Sequence, residues 1–154
     1  MKINWKALII SLIIPLAVGG LSAFLTRDSM MIYEQITQPP LAPPSILFPI
    51  VWTILFALMG VSSYLVYTSD AKNKKEALTL YGVQLIVNFI WPLLFFNMQA
   101  FFASLLWLLL LWVLVALMIR QFYIARPIAG YLQIPYLIWL TFAAYLNFAI
   151  FLLN

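Results

Sequence analysis

Phe48, Trp52 and Phe56 recur at four-residue spacing and Met59 follows three later, so on a helix all four fall on one stripe. Gln84 and Asn88 are one helical turn apart, Trp91 continues that face, and Pro92 must loosen the backbone beside it. Tyr136, Trp139 and Ala143 share a third face, with Asn147 one turn further on. Each stretch builds a wall around a Trp, with amides or hydroxyls beside it. Such walls suit a flat, largely apolar, π-rich ligand, held by stacking and oriented by a few hydrogen bonds. They do not suit a small ion. The oxidisable indole ring also offers radical or photo-oxidative chemistry on a bound chromophore.

Other chemistry is scarce. The chain has neither Cys nor His, which removes disulfides, thiolate and imidazole metal ligands, and the usual nucleophile and general base. Its four acids lie in connections between apolar runs, so no Ser-His, Cys-His or carboxylate pair exists for hydrolysis, and no metal site is expected. The amides keep two readings open. Polar groups deep in lipid are costly, so Gln84, Asn88 and Asn147 either face a cavity or bond a neighbouring helix. Trp52, Trp91 and Trp139 sit beside these polar positions and read as pocket, whereas Trp5, Trp107 and Trp112 are free for packing or for an interfacial belt.

The elements that carry these residues are apolar enough to sit in lipid. Of 154 residues, 66% are hydrophobic and 8% charged, and the mean hydropathy is +1.07; soluble domains carry roughly 45–50% and 25%. An all-α membrane protein is expected, a bundle of five transmembrane helices in one domain at about 5–25, 43–67, 77–96, 100–122 and 128–152. The first run follows Lys2 and Lys6 as a signal peptide would, but exceeds the usual apolar core of roughly 7–15 residues and reads as a helix that is kept. Its Gly19 and Ala23, and Ala17 and Gly20, offer small surfaces for close helix approach within the bundle.

The connection at about 26–42 is the most polar and least periodic stretch, and it ends in Pro39, Pro40, Pro43 and Pro44. Prolines there make a stiff, non-helical approach, and the length favours a lid over a spacer. Lys2, Lys6, Lys72, Lys74, Lys75, Arg120 and Arg126 fall on one side of the bundle and Arg27 on the other, which puts the N-terminus in the cytoplasm by the positive-inside rule. The net charge of +4 is a topology signal and not a nucleic-acid surface, because the basic residues sit in short connections. No internal repeat is visible, so no inverted-repeat transporter is indicated.

Three blocks of residues resemble the translocator protein family, also called tryptophan-rich sensory proteins or peripheral benzodiazepine receptors. The first is Pro39-x-x-x-Pro43-Pro44 with Val51-Trp52-Thr53-x-Leu55-Phe56-x-x-Met59-Gly60. The second is Tyr81-x-x-Gln84-Leu85-x-x-Asn88-x-x-Trp91-Pro92, and the third is Pro135-Tyr136-Leu137-x-Trp139 with Leu146-Asn147. The likeness spans roughly the whole chain. It implies five helices around one pocket, a covering loop between the first two, and homodimers. It also implies tetrapyrrole ligands such as protoporphyrin IX and haem, isoquinoline carboxamide or benzodiazepine drugs, and in some bacterial members light-driven oxidative breakdown of protoporphyrin, with no required cofactor.

Carried over by position, Tyr33, Trp52, Asn88, Trp91, Trp139 and Ala143 are binding candidates, with Phe48, Phe56, Gln84 and Asn147 beside them, and Trp52 and Trp139 are the photochemical candidates. The chain departs from the family where Leu41 replaces a Trp and Pro49-Ile50 replaces Gly-Pro. Its end, Phe148 to Asn154, has no Tyr, Lys or Arg, so the sterol consensus of animal members is absent. The expected function is tetrapyrrole binding with photo-oxidative degradation of protoporphyrin IX; the alternatives are tetrapyrrole transport, stress sensing without catalysis, or a partner-binding protein whose aromatics only pack. With no His or Cys, recognition of the macrocycle is expected in preference to its metal.

Overall fold

The computed structural model describes residues 2–154, save the side chain of Ile32. Helix α1 (Trp5–Thr26) starts where Asn4 Oδ1 accepts the Ala7 N–H at 3.1 Å, satisfying one of the free donors of a helix N-terminus. A single 3-10 turn, Arg27–Ser29, leads into α2 (Met30–Gln35). Then come α3 (Leu47–Tyr67), α4 (Lys74–Pro92), α5 (Phe101–Ala125), α6 (Pro127–Tyr131) and α7 (Ile134–Leu153). Among the described residues, five helical stretches are long and apolar enough to cross a membrane: Trp5–Ser29, Leu47–Tyr67, Lys74–Asn97, Phe101–Ala125 and Pro127–Leu153. Many Ile, Leu and Phe side chains remain exposed along them, as a lipid solvent requires.

The first connection differs from the expected loop over 26–42. Its first part is helical as far as Gln35, because residues 27–35 contain no Pro or Gly to stop a helix. The prolines then impose the break. The Ala42 N–H closes a turn on the Pro39 carbonyl at 3.2 Å, with Pro40 at its second position and Leu41 at φ 71° at its third. Further turns at Pro44 and Ser45 delay α3 to Leu47, four residues past the expected Pro43, and Pro49 falls in its first turn, where a missing N–H costs nothing.

Prolines shape the other helix ends too. Pro92 has no N–H to give the Asn88 carbonyl, and the helix widens after it into a π-helical turn, Leu93–Asn97, where the Met98 N–H reaches the Leu93 carbonyl at 3.0 Å. Arg126 is extended before Pro127, which opens the short α6, and α7 follows after one turn. The expected final helix from 128 is therefore two pieces.

Glycine decides how α1 lies on α3. A Cβ on Gly60 would stand 2.8 Å from Leu12 Cα and from the Ser11 carbonyl oxygen, so the α1 backbone rests on that glycine. One Cβ on Gly19 would meet the Phe56 ring at 2.5 Å. Of the small residues of α1, Gly19 thus serves packing within the bundle. On the far side, Leu108, Leu111, Val115, Met118 and Phe122 of α5 are fully buried against α4 and α7.

Candidate functional site

A cavity of about 460 Å³ opens between α1, α3 and the C-terminal part of α4, at the end of the bundle where the proline loop lies. Its aromatic side is Phe48, Trp52 and Phe56 of α3, on the stripe that the four-residue spacing dictates. Opposite stand Asn88, Trp91 and Pro92 of α4 with Phe96 of the π-helical turn. Leu16, Gly19, Gly20, Ser22, Ala23 and the buried Thr26 of α1 form the third wall, and the exposed Arg27 and half-buried Met30 stand at the mouth. The volume falls in the range of small-molecule pockets, about 300–1,000 Å³.

A second layer of side chains holds this wall in place. The Trp52 ring lies edge to face with Tyr136 and Trp139 of α7, at centroid distances of 6.1 and 6.5 Å. Phe48 sits between Trp139, at 6.1 Å, and Tyr33, at 5.0 Å. Trp139 itself is not part of the wall, and its Nε1 is buried without an acceptor among the described residues. Ala143 is buried one turn beyond it and is likewise set back.

The three amides divide between the two readings left open by their spacing. Asn88 reaches the cavity while its Nδ2 donates to the Tyr136 hydroxyl at 2.6 Å, and that hydroxyl donates to Gln84 Oε1 at 2.7 Å. Gln84, fully buried, turns its Nε2 to Met59 Sδ at 3.8 Å and is spent on holding α4 against α3 and α7. Asn147 is committed as well. Its Oδ1 accepts from Trp91 Nε1 at 3.0 Å and from Ser104 Oγ at 3.1 Å, and its Nδ2 donates to the Phe101 carbonyl at 2.8 Å. Trp91 is thereby fixed with its ring stacked on Phe95, centroids 5.1 Å apart. Trp107 and Trp112 bond the Val87 carbonyl and Thr141 Oγ1, so they brace helix contacts away from the cavity.

The cover is tied to two helices, α2 and α7. Tyr33 Oη donates to the Pro43 carbonyl at 2.8 Å and Gln38 Nε2 to the Tyr33 carbonyl at 2.6 Å. Tyr145 Oη reaches the Pro40 carbonyl at 2.7 Å, and the Asn154 amide exchanges two bonds with the Thr37 backbone. Burial raises the Tyr33 hydroxyl above its ordinary pKa of 10.0, so it stays a donor at neutral pH. Pro39 and Pro43 are buried in this loop and Pro44 is exposed; none of the three lines the cavity, whose mouth is made by Arg27 and Met30 instead.

The α1 wall is what the periodic aromatics could not indicate. Gly20 leaves open space, since a Cβ there would meet nothing within 4 Å. Ser22 is 6% exposed, lines the cavity, and its Oγ has no hydrogen-bond partner among the described residues. Buried hydroxyls without partners are costly, which makes Ser22 a donor and acceptor available to a ligand. The signal was present as a cluster of small residues in an otherwise bulky apolar run, which also fits plain helix packing. Arg27 stands at the mouth with its guanidinium 4.1 Å from the Phe24 ring centroid and a loose contact to Asp28, 3.9 Å away.

Residues 11–153 match the TspO/MBR family. The chain belongs to that family. The tryptophan-rich protein TspO of Chlorobaculum tepidum is 37% identical over 150 residues, covering 96% of this chain and 94% of the relative. A tryptophan-rich sensory protein of Cereibacter sphaeroides is 32% identical over 154 residues, covering 100% and 95%, and a translocator protein of Bos taurus is 34% identical over 140 residues, covering 88% and 83%. As a TspO/MBR member the chain is a membrane protein, in line with its five apolar helices. The resemblance carried by the three proline and tryptophan blocks therefore holds across almost the whole chain.

Proposed function

We propose that this TspO/MBR protein binds tetrapyrroles such as protoporphyrin IX in the cavity between α1, α3 and α4 and promotes their photo-oxidative degradation. The observation that carries this reading is the wall itself: Phe48, Trp52, Phe56 and Trp91 offer ring faces and edges around a space of about 460 Å³, with Asn88 and Ser22 as the polar groups. Stacking of this kind contributes about 0.5–1.5 kcal/mol per aromatic pair beyond burial. Arg27 at the mouth suits a ligand that is apolar through its ring and acidic at one edge, as a porphyrin with propionate groups is. Since the chain has no His or Cys, the macrocycle is recognised and a metal at its centre is not ligated by either.

The chromophore supplies the light absorption and dioxygen the oxidising equivalents. Trp52 is the oxidisable side chain against the ligand, and Trp139 stands edge-on behind it. Isoquinoline carboxamide or benzodiazepine-type drugs compete for the same wall, homodimers form in the membrane, and the basic end of the bundle faces the cytoplasm.

The test is absorption and Trp fluorescence of the purified protein with protoporphyrin IX, in darkness and under light, beside Trp52→Phe/Trp139→Phe. Saturable dark quenching followed by light-dependent loss of the porphyrin bands, slower in the variant, is the expected result. Quenching without protein-dependent loss would leave a binder and favour transport or sensing. Absence of saturable quenching would overturn the reading.

A further inference from the structure

A second cavity, of about 510 Å³, lies at the opposite end of the bundle, between the first half of α1, the last turns of α3 and the first turns of α4. Its apolar flank is Ile10, Ile14 and Leu78; its polar groups include Lys6, Ser63 and Tyr81. Tyr81 is 7% exposed, and its Oη is buried with no hydrogen-bond partner among the described residues. Ser63 Oγ donates to the Gly60 carbonyl at 3.0 Å and keeps lone pairs that could accept, yet it forms no well-aligned bond with Tyr81 Oη. A buried hydroxyl without a well-aligned partner is costly in a bilayer-embedded wall, so a ligand that brings an acceptor is favoured there.

The cavity has the dimensions and the charge of one leaflet. From Lys6 to Ile14 the helix rises about 12 Å, close to half of a hydrocarbon core roughly 30 Å thick. Ile10 and Ile14 are 47% and 48% exposed, which leaves the flank open to lipid. Helical side chains lean toward the N-terminus of their own helix, which directs Tyr81 toward the basic end, where Lys2, Lys6, Lys72, Lys74 and Lys75 gather. Lys74 is engaged with the Tyr67 and Ser69 carbonyls, at 3.1 and 3.3 Å. Lys6, at the cavity, makes no ion pair among the described residues.

We infer that this cavity holds one anionic glycerophospholipid. Its acyl chain lies against Ile10, Ile14 and Leu78, an ester carbonyl accepts from Tyr81 Oη, and the headgroup phosphate meets Lys6. Basic residues at a membrane surface attract anionic lipid, and the buried phenol adds a fixed donor at ester depth. The inference stands apart from the tetrapyrrole reading, since the two cavities share no residue.

Native mass spectrometry of the full chain from mild detergent, with phosphatidylglycerol and phosphatidylcholine added in turn, tests it. Wild type should retain one phosphatidylglycerol several-fold better than phosphatidylcholine. Lys6→Gln should lower phosphatidylglycerol retention about fivefold and phosphatidylcholine retention clearly less, because choline already offsets the charge of that lipid's phosphate. Tyr81→Phe should weaken both about three- to tenfold, with protoporphyrin quenching unaltered as a check on folding. Leu78→Trp, which fills the cavity, should expel the lipid by a different route. Equal retention of the two lipids by wild type, preferential retention of oleic acid over phosphatidylglycerol, or indifference to Lys6→Gln, Tyr81→Phe and Leu78→Trp would each overturn the assignment.

Discussion

Trp52 and Trp139 meet edge to face, centroids 6.5 Å apart and planes at 88°, and of the two only Trp52 reaches the cavity wall. Their substitutions should therefore separate. Trp52→Phe should weaken porphyrin binding a few-fold and slow light-driven loss, whereas Trp139→Phe should leave the dark affinity unchanged and slow only the photochemical step. Titration by fluorescence quenching and illumination of matched samples check both. Equal loss of affinity in the two variants would place Trp139 at the ligand and contradict the layering.

Arg27 at the mouth predicts a preference for acidic ligands. Arg27→Gln should lower affinity for protoporphyrin IX and leave that for its dimethyl ester almost unchanged. A parallel decrease for both would mean that Arg27 shapes the mouth without reading charge.

The Tyr33 hydroxyl donates to the Pro43 carbonyl at 2.8 Å, with a pKa raised by burial above its ordinary 10.0. The folded value exceeds the unfolded one, so this contribution is fully present below pH 10.0 and is lost as pH rises through the raised value. Ligand release should accelerate at strongly alkaline pH. Tyr33→Phe should release ligand faster at neutral pH, by up to about tenfold for one lost hydrogen bond, and should show less of that alkaline acceleration. Stopped-flow displacement across pH measures both.

Gly60 and Gly20 predict opposite behaviour on α3 and α1. Gly60→Ala would press a Cβ to 2.8 Å from the α1 backbone, which cannot yield as a side-chain tip can, and should cost about 1–3 kcal/mol in thermal stability. At Gly20 there is open space, so Gly20→Leu should fold normally and fill the cavity, reducing porphyrin affinity. Melting curves and quenching titrations distinguish the two effects.

Asn147 satisfies Trp91, Ser104 and the Phe101 carbonyl together. Asn147→Leu should destabilise the bundle by about 1–3 kcal/mol and reduce binding only through the freed Trp91 ring. Strong loss of affinity with unchanged stability would instead make Asn147 a ligand contact.

Composition and periodicity by themselves determined that this chain is a five-helix membrane protein, that Phe48, Trp52 and Phe56 share one face, and that the prolines after Gln38 end helical structure. Those properties depend on local backbone geometry and on transfer from water to lipid, both readable residue by residue. The helical run as far as Gln35 was legible in principle, since nothing in residues 27–35 breaks a helix. Which amides face a ligand was not legible. Gln84 and Asn88 have the same chemistry and lie one turn apart, yet the rotation of α4 against α3 and α7 gives Gln84 to Met59 and Tyr136 and leaves Asn88 at the cavity. Likewise the crossing of α1 over Gly60 decided that Gly20 and Ser22 form a wall, and the depth of Phe48 and Trp52 decided that Trp139 stands behind them. Helix rotation and crossing arise from packing between distant segments, and a one-dimensional pattern of faces does not encode which face meets which.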